Sequence, residues 1–449
     1  MIKKMKNSKT YLTLDEIITK IPIAKESILD WAKKGLLISG RTPNGHRVFN
    51  FKQILCLKEK ASGRSLTRGF KVHKSPETNY SVIELFSGAG GLALGLSNSG
   101  LKTKLLVEMD KDAVSTLRKN RPGWEYMQED IKKVDFTAYK NKVDIVAGGF
   151  PCQSFSYAGN GKGFGDTRGT LFSEFARCVD EVHPKILLAE NVRGLMKHDD
   201  GKTLNTIISA FERLGYRVSY KLLRAQFFDV AQKRERLIIV GIHKDLKIPF
   251  IFPKEKDYVL TLRDILKDCP KSEGATYPER KAYVMSNVPE GGYWRDLPLE
   301  LQKEYMQGSF LLGGGKTGMA RRLSWDEPSL TLVCTPAQGQ TERCHPEKTR
   351  PLTVREYARI QSFPDNWQFE GSMASKYKQI GNAVPVNLGY FMGRCLVAML
   401  SGKLDPKIMK IGKLTGRQIE LEYDWFASKN LVTQWTSSTK RPEAELCRQ

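Results

Sequence analysis

The sequence lacks any ordered cysteine pattern: its eight cysteines, at 56, 152, 178, 269, 334, 344, 395 and 447, form no Cys-x-x-Cys pair and no regular spacing. That excludes a zinc-finger-type site and a disulfide framework, and no metal is expected. No run of about 18 apolar residues occurs, and the lysines at 3, 4, 6 and 9 lead into no apolar stretch, so neither a membrane span nor a signal peptide is expected. The expectation is a cytoplasmic chain with no membrane partner. Acidic residues are the scarce charge, 49 Asp+Glu against 72 Lys+Arg, for a formal net charge of +23. Such a surface attracts polyanions, although charge alone leaves DNA, RNA and anionic membrane open. Repeats and low-complexity tracts are also missing, and 449 residues are too many for one ordinary core, which predicts two or three domains.

What is present begins with a basic N-terminus. Residues 1–77 hold 17 Lys+Arg and 6 Asp+Glu, so 17 − 6 = +11, about half the excess of the whole chain. Apolar spacing predicts helices over Thr13–Lys20 and Lys25–Lys34, separated by Ile21-Pro22-Ile23 and stopped at Gly35. Asn44-Gly45, flanked by Arg41 and by His46-Arg47, is a hairpin-turn signal. Gly35-Leu36-Leu37 followed by Arg41-Thr42-x-x-Gly45-His46-Arg47 resembles the MerR-type winged helix-turn-helix over about 50 residues. That resemblance implies promoter DNA as a partner of residues 1–77; a helical cap packed on the catalytic domain is the alternative.

A linker is expected over Ala61–Asn79. From Ser81 to Lys244, apolar runs (Val82–Phe86, Lys104–Glu108, Asp144–Ala147, Ile186–Ala189, Leu237–Gly241) alternate with helical patterns, which predicts an α/β, mostly parallel, doubly wound sheet. Periodicity fades over residues 245–348, an irregular domain inserted before helical patterns return at 353–360 and 387–400. The expected domains are therefore 1–77, 81–244, 245–348, a segment 349–402 completing the catalytic fold, and an extension 403–449.

Glu84-Leu85-Phe86-Ser87-Gly88-Ala89-Gly90-Gly91 follows a predicted strand and precedes an apolar helix, where glycines let the backbone approach a ligand. Glu108 lies 20 residues after Gly88 at the next strand end, the place of a ribose-binding acid, and Asp130 follows a third run. A dehydrogenase would share this much. Ala147-Gly148-Gly149-Phe150-Pro151-Cys152-Gln153-Ser154 then sets a cysteine at a strand's carboxyl end, before a glycine-rich loop, where a basic protein can hold a nucleophilic thiolate.

ELFSGAGG, GFPCQSFS, AENV at 189–192, QKRERL at 232–237, RPLTVREYARIQSFP at 350–364 and QIGNAVPV at 379–386 resemble the ordered motifs of bacterial DNA cytosine-5 methyltransferases, across residues 81 to about 400. The resemblance implies a Rossmann-like methyltransferase fold, S-adenosylmethionine as methyl donor, and double-stranded DNA as substrate. It implies that Cys152 adds to carbon 6 of a flipped cytosine while Glu190 serves ring nitrogen 3. Arg234 and Arg236, two apart on a strand-like run and expected on one face, would support both. Cofactor contacts fall by the same resemblance on Phe86, Gly88, Gly90, Glu108, Met109, Asp130, Ile131, Pro151, Leu171, Asn382 and Val384.

DNA contacts are expected from Gln153, Ser156 and Arg168 in the glycine-rich loop, and from Arg321, Arg322 and Thr331 in the insert, the family's target-recognition position. Enzymes that methylate exocyclic amino groups carry an Asp-Pro-Pro-Tyr-like motif, and no Pro-Pro pair occurs here. A tRNA cytosine methyltransferase usually has Cys-Phe-Thr after Pro-Pro-Cys and a smaller recognition region, so Pro151-Cys152-Gln153 and the long insert favour DNA. A regulator with a dead methyltransferase domain conflicts with the intact Cys152, Glu190, Arg234 and Arg236 set. The expectation is a site-specific methyltransferase of a restriction-modification system, paired with a restriction endonuclease, whose residues 1–77 regulate transcription.

Overall fold

The computed structural model describes residues 11–42, 45–61, 69–151, 171–311 and 318–412. They form two compact units: Met1–Val72 with Arg224–Arg234 and Glu255–Leu388, and His73–Leu223 with Glu235–Lys254 and Gly389–Gln449.

The first unit begins with β1 (Tyr11–Thr13), α1 (Leu14–Lys20), α2 (Lys25–Lys33), β2 (Ser39–Arg41), β3 (Arg47–Asn50) and α3 (Phe51–Ala61). Thr13 starts α1 through a capping box: Glu16 N donates to its hydroxyl and its own N–H to the Glu16 carboxylate at 2.8 Å. Leu12, Ile17, Ile28, Leu37, Phe49, Phe51 and Ile54 bury a small core, and the three strands pair antiparallel in the order β1-β3-β2. The same unit holds the short helices Leu262–Leu266, Glu279–Ser286 and Leu299–Met306, whose second core contains Met285, Val288, Trp294, Leu297 and Met306.

The second unit is built on β4 (Ser81–Leu85), α4 (Gly91–Asn98), β5 (Lys102–Glu108), α5 (Lys111–Asn120), β6 (Tyr126–Gln128), β7 (Ile145–Gly148), α6 (Leu171–Val182), β8 (Ile186–Val192), α7 (Lys202–Arg213), β9 (Tyr216–Arg224) and, after β10 (Gln232–Lys233) of the first unit, β11 (Glu235–His243). All five residues of β4 are buried, as a strand covered on both faces requires. Helix α6 turns Phe172, Phe175, Ala176, Val179 and Val182 inward at helical spacing onto the sheet.

Strand order is β6-β5-β4-β7-β8-β11-β9. Pairing is parallel from β6 to β8, but β11 runs antiparallel to β8. The sheet is mostly parallel, as expected, with an antiparallel strand added beside β8. β9 was not anticipated because its Tyr-Arg-Val-Ser-Tyr-Lys sequence alternates polar and apolar residues and contains no apolar run. The chain winds one way from β4 to β6 and the other way from β7, so the strand order reverses between β4 and β7, which in open α/β sheets is where ligands bind, at the strands' carboxyl ends. The stretch Met373–Ser401 contains 18 residues apolar enough for a membrane span, but it is two helices, Met373–Asn382 and Val386–Ser401, and 78% of those 18 residues are buried.

Candidate active site

Two loops leave the sheet at its reversal. After β4, Phe86 (φ +57°), Gly88 (φ +52°) and Gly90 (φ +85°) make a left-handed turn that delivers the chain into α4. Glu108, at the end of β5, ties this loop down: Gly88 N donates to its Oε2 at 2.7 Å, and Met109 N and Asp110 N donate to Oε1 at 2.9 and 2.8 Å. Met109 lies open at 69% exposure, and Asp130 caps the turn that begins at the buried Ile131. Phe86, Gly88, Gly90, Glu108, Met109, Asp130, Ile131, Pro151 and Leu171 all lie in this unit, most of them along the carboxyl edge of the sheet.

After β7 comes Gly149-Phe150-Pro151. Leu85 pairs with Gly148 and Gly148 with Ala189, which brings Gly149 beside Glu190 of β8. A Cβ on Gly149 would stand 2.8 Å from Glu190 Oε2, so only glycine leaves room for the carboxylate. Asn191 Nδ2 donates to Phe150 O at 3.0 Å, which pins the chain two residues before Cys152. On the other side of β8, Arg236 Nε lies 2.5 Å from Glu190 Oε1 and Arg236 Nη1 donates to Glu235 O. A buried carboxylate is thus held between a guanidinium and the root of the cysteine loop. Cys152, Gln153, Ser156 and Arg168 lie outside the described residues.

The two arginines have different partners. Arg234 follows the end of β10, where its N–H bonds Gln232 O, and its guanidinium donates to Leu332 O and Gly381 O in the first unit. Arg234 braces Leu332 and Gly381 there, beside Thr331, whose hydroxyl donates to Lys233 O at 2.6 Å, and near Asn382 and Val384. Arg321 is half-buried with its guanidinium over the Tyr293 ring. Arg322 corrects an expectation: it is 4% exposed and donates to Val288 O, His345 O, Met285 O and Thr349 Oγ1. With four of its five donors used inside the fold, it is a strut and not a reader of DNA.

Sequence reasoning passed over Glu84, which sits in an apolar run. Burial pushes its carboxyl well above the usual carboxylate range, against the Ala93 amide that donates to it, and the Glu108 and Glu190 carboxylates push the same way. Glu84 Oε2 and Ser87 Oγ are buried with no hydrogen-bond partner among the described residues. Orphaned polar atoms under a glycine loop, beside a carboxylate suited to a ribose, fit a polar nucleoside ligand with a charged tail.

The model of C-5 cytosine-specific DNA methylases matches residues 80–398. The chain belongs to that family. It is a DNA (cytosine-5-)-methyltransferase, 55% identical over 402 residues to the type II methyltransferase M.Eco47II of Escherichia coli, an alignment covering 87% of this chain and 96% of that one. It is 52% identical over 330 residues to M.Sau96I of Staphylococcus aureus, covering 72% and 77%. Among solved structures, one described as a DNA modification methyltransferase encoded within a prophage (E. coli) superposes with a TM-score of 0.53 at 26% identity, covering 72% of this methylase and all of that chain. The Spodoptera frugiperda DNMT2 structure, at TM-score 0.50, 18% identity and 71% and 100% coverage, shares the fold. Family and fold together point to S-adenosylmethionine as the methyl donor, and among the described residues no cluster of His, Cys, Asp or Glu suits a metal.

Proposed function

We propose that this methylase modifies one short DNA sequence through a covalent adduct at Cys152, as the modifying partner of a restriction endonuclease in the cytoplasm. The observation that carries the reading is the Glu190 carboxylate, held by Arg236 and standing against Gly149, three residues before Cys152. A cytosine inside a duplex cannot present carbon 6 to a thiolate, so the base is flipped first. The Cys152 sulfur bonds carbon 6 while Glu190, steadied by Arg236, supplies a proton to ring nitrogen 3, and the electron pair gathers at carbon 5. S-adenosylmethionine, when bound, supplies an electrophilic methyl group. Carbon 5 takes the methyl and then loses its proton to water, the electrons left behind expel the sulfur as thiolate, and nitrogen 3 returns its proton to Glu190.

The loop Phe86–Gly90, with Glu108, Met109, Asp130, Ile131, Pro151 and Leu171, would hold the donor; the family resemblance also assigns Asn382 and Val384 to donor contacts. Arg321 and Thr331, with Gln153, Ser156 and Arg168, would meet DNA, while Arg234 keeps the 332 and 381 backbone in place. Residues 1–77 are read as a winged helix-turn-helix that binds promoter DNA. Bisulfite sequencing of DNA from cells expressing the protein should reveal 5-methylcytosine in one short motif, absent with Cys152→Ser. Methylation surviving that substitution overturns the covalent reading. A gel shift of upstream DNA no tighter than of random DNA overturns the promoter role.

A further inference from the structure

Three features of the N-terminal elements stay unexplained by catalysis. Arg41 and Arg47 lie directly opposite each other across β2 and β3, both exposed. Like charges in that register oppose pairing, and a protein retains them where something else is served. Both are held outward: Arg41 Nη1 donates to Gly45 O at 2.9 Å, and the Arg47 guanidinium sits over the Phe49 ring at 5.3 Å. On α2, Lys25, Leu29 and Lys33 are spaced by four and all exposed, Leu29 at 41%. Lys25 also reaches Asp15 at 3.2 Å. Cations flanking an apolar side chain on one helix face, in a module that also carries the exposed arginine pair, match a duplex, with phosphates for the cations and a base edge for the leucine.

The third feature is how these elements are anchored. Gln53 is fully buried; its Oε1 accepts from Ile38 N at 2.6 Å and its Nε2 donates to Lys256 O at 3.2 Å. Gln226 Nε2 donates to Gly35 O, and Leu36 and Ile38 pack on Phe227 and Val259. Gly35 has φ +71°, and a Cβ there would come within 3.1 Å of Lys233. The loop after α2 is therefore built into the body that carries residues 255–388, and the module is no tethered, free-standing domain.

We infer that Arg41, Arg47, Lys25, Leu29 and Lys33 form a second duplex-binding surface that grips the substrate DNA itself, beside the target site, as a rigid extension of the target-reading segment. This rests on the reading that the insert over residues 245–348 recognises the target, and it replaces a separate promoter duplex with the flank of the methylated one. The full-length protein is titrated with duplexes of about 16 and about 40 bp, the longer adding roughly a helical turn on each side of the site found by bisulfite sequencing. The wild type should bind the longer duplex about tenfold more tightly. In Arg41→Gln/Arg47→Gln that ratio should fall to about one, and the slope of log affinity against log salt should drop by about two.

Lys33→Gln should lower the ratio by itself. Thermal stability of the double variant should hold or rise, since a like-charge opposition is removed. An unchanged ratio, a lowered Tm that assigns the arginines to folding, or one protein holding a site duplex and an upstream duplex together would overturn the inference. Short duplexes with and without the site binding equally would instead defeat target reading by residues 245–348, whatever the length ratio.

Discussion

Arg236 Nε and Glu190 Oε1 meet at 2.5 Å across the antiparallel strands β11 and β8, each side chain 11% exposed. A guanidinium there orients the carboxylate and offsets its burial. Arg236→Ala leaves the carboxylate without its cation and should cost about 3 kcal/mol, read by denaturant unfolding. Glu190→Gln should lower kcat for methyl incorporation about a hundredfold. Full activity in Glu190→Gln would remove that side chain from the chemistry.

Gly148 and Gly149 are neighbours with opposite consequences. A Cβ on Gly148 would meet the Leu85 carbonyl at 2.6 Å, a fixed strand backbone, whereas one on Gly149 would meet the Glu190 carboxylate at 2.8 Å. Gly148→Ala should therefore destabilise the fold by about 1–3 kcal/mol. Gly149→Ala should keep its Tm close to wild type and lose about tenfold or more in kcat, because the carboxylate must move. Thermal melts and methyl-transfer assays on the pair separate the two effects.

The glycine loop, Glu108 and the strand leading to Gly149 were legible in the sequence because glycines and acids mark strand ends locally. Spacing by two implies a shared face only along an unbroken strand, and Arg234 stands between β10 and β11, so the partners of the two arginines, Glu190 for one and the 332 and 381 carbonyls for the other, were not legible in the run itself. Glu84 was hidden for the opposite reason: its neighbours Val82, Ile83 and Leu85 are apolar, so the run read as core. The buried state of Arg322 depends on carbonyls at 285, 288 and 345, which no local pattern brings together.

Arg322 gives a direct test of that difference. Arg322→Ala strands the Met285, Val288 and His345 carbonyls, so the expected result is lower stability, by about 3 kcal/mol or more. The methylated motif should stay the same. A changed motif in bisulfite sequencing, with stability intact, would return Arg322 to the DNA surface.

Glu84 makes stability fall as pH rises. Folding raises its pKa by burial, so the native state keeps a proton that the unfolded chain releases above about 4.3. Glu84→Gln removes this titration. The Tm of the variant relative to wild type should climb from pH 4 to pH 7, and a constant difference would mean that the carboxyl ionises equally in both states.

His345 acts in the other direction. Its side chain is buried, its Nδ1 accepts from Glu347 N at 3.1 Å and Lys348 N at 3.0 Å, and burial lowers its pKa to about 4, with Glu356 pulling the other way. A nitrogen accepting two amides has no place for a proton. The unfolded chain takes up that proton below about 6.5 while the native state refuses it until about pH 4, so stability should decline between those values by up to about 3 kcal/mol and then level off. His345→Asn keeps an acceptor near the two amides without titrating. Its denaturation midpoint should be less acid-sensitive than that of wild type between pH 6.5 and 4, and parallel profiles for the two proteins would show that another group carries the acid response.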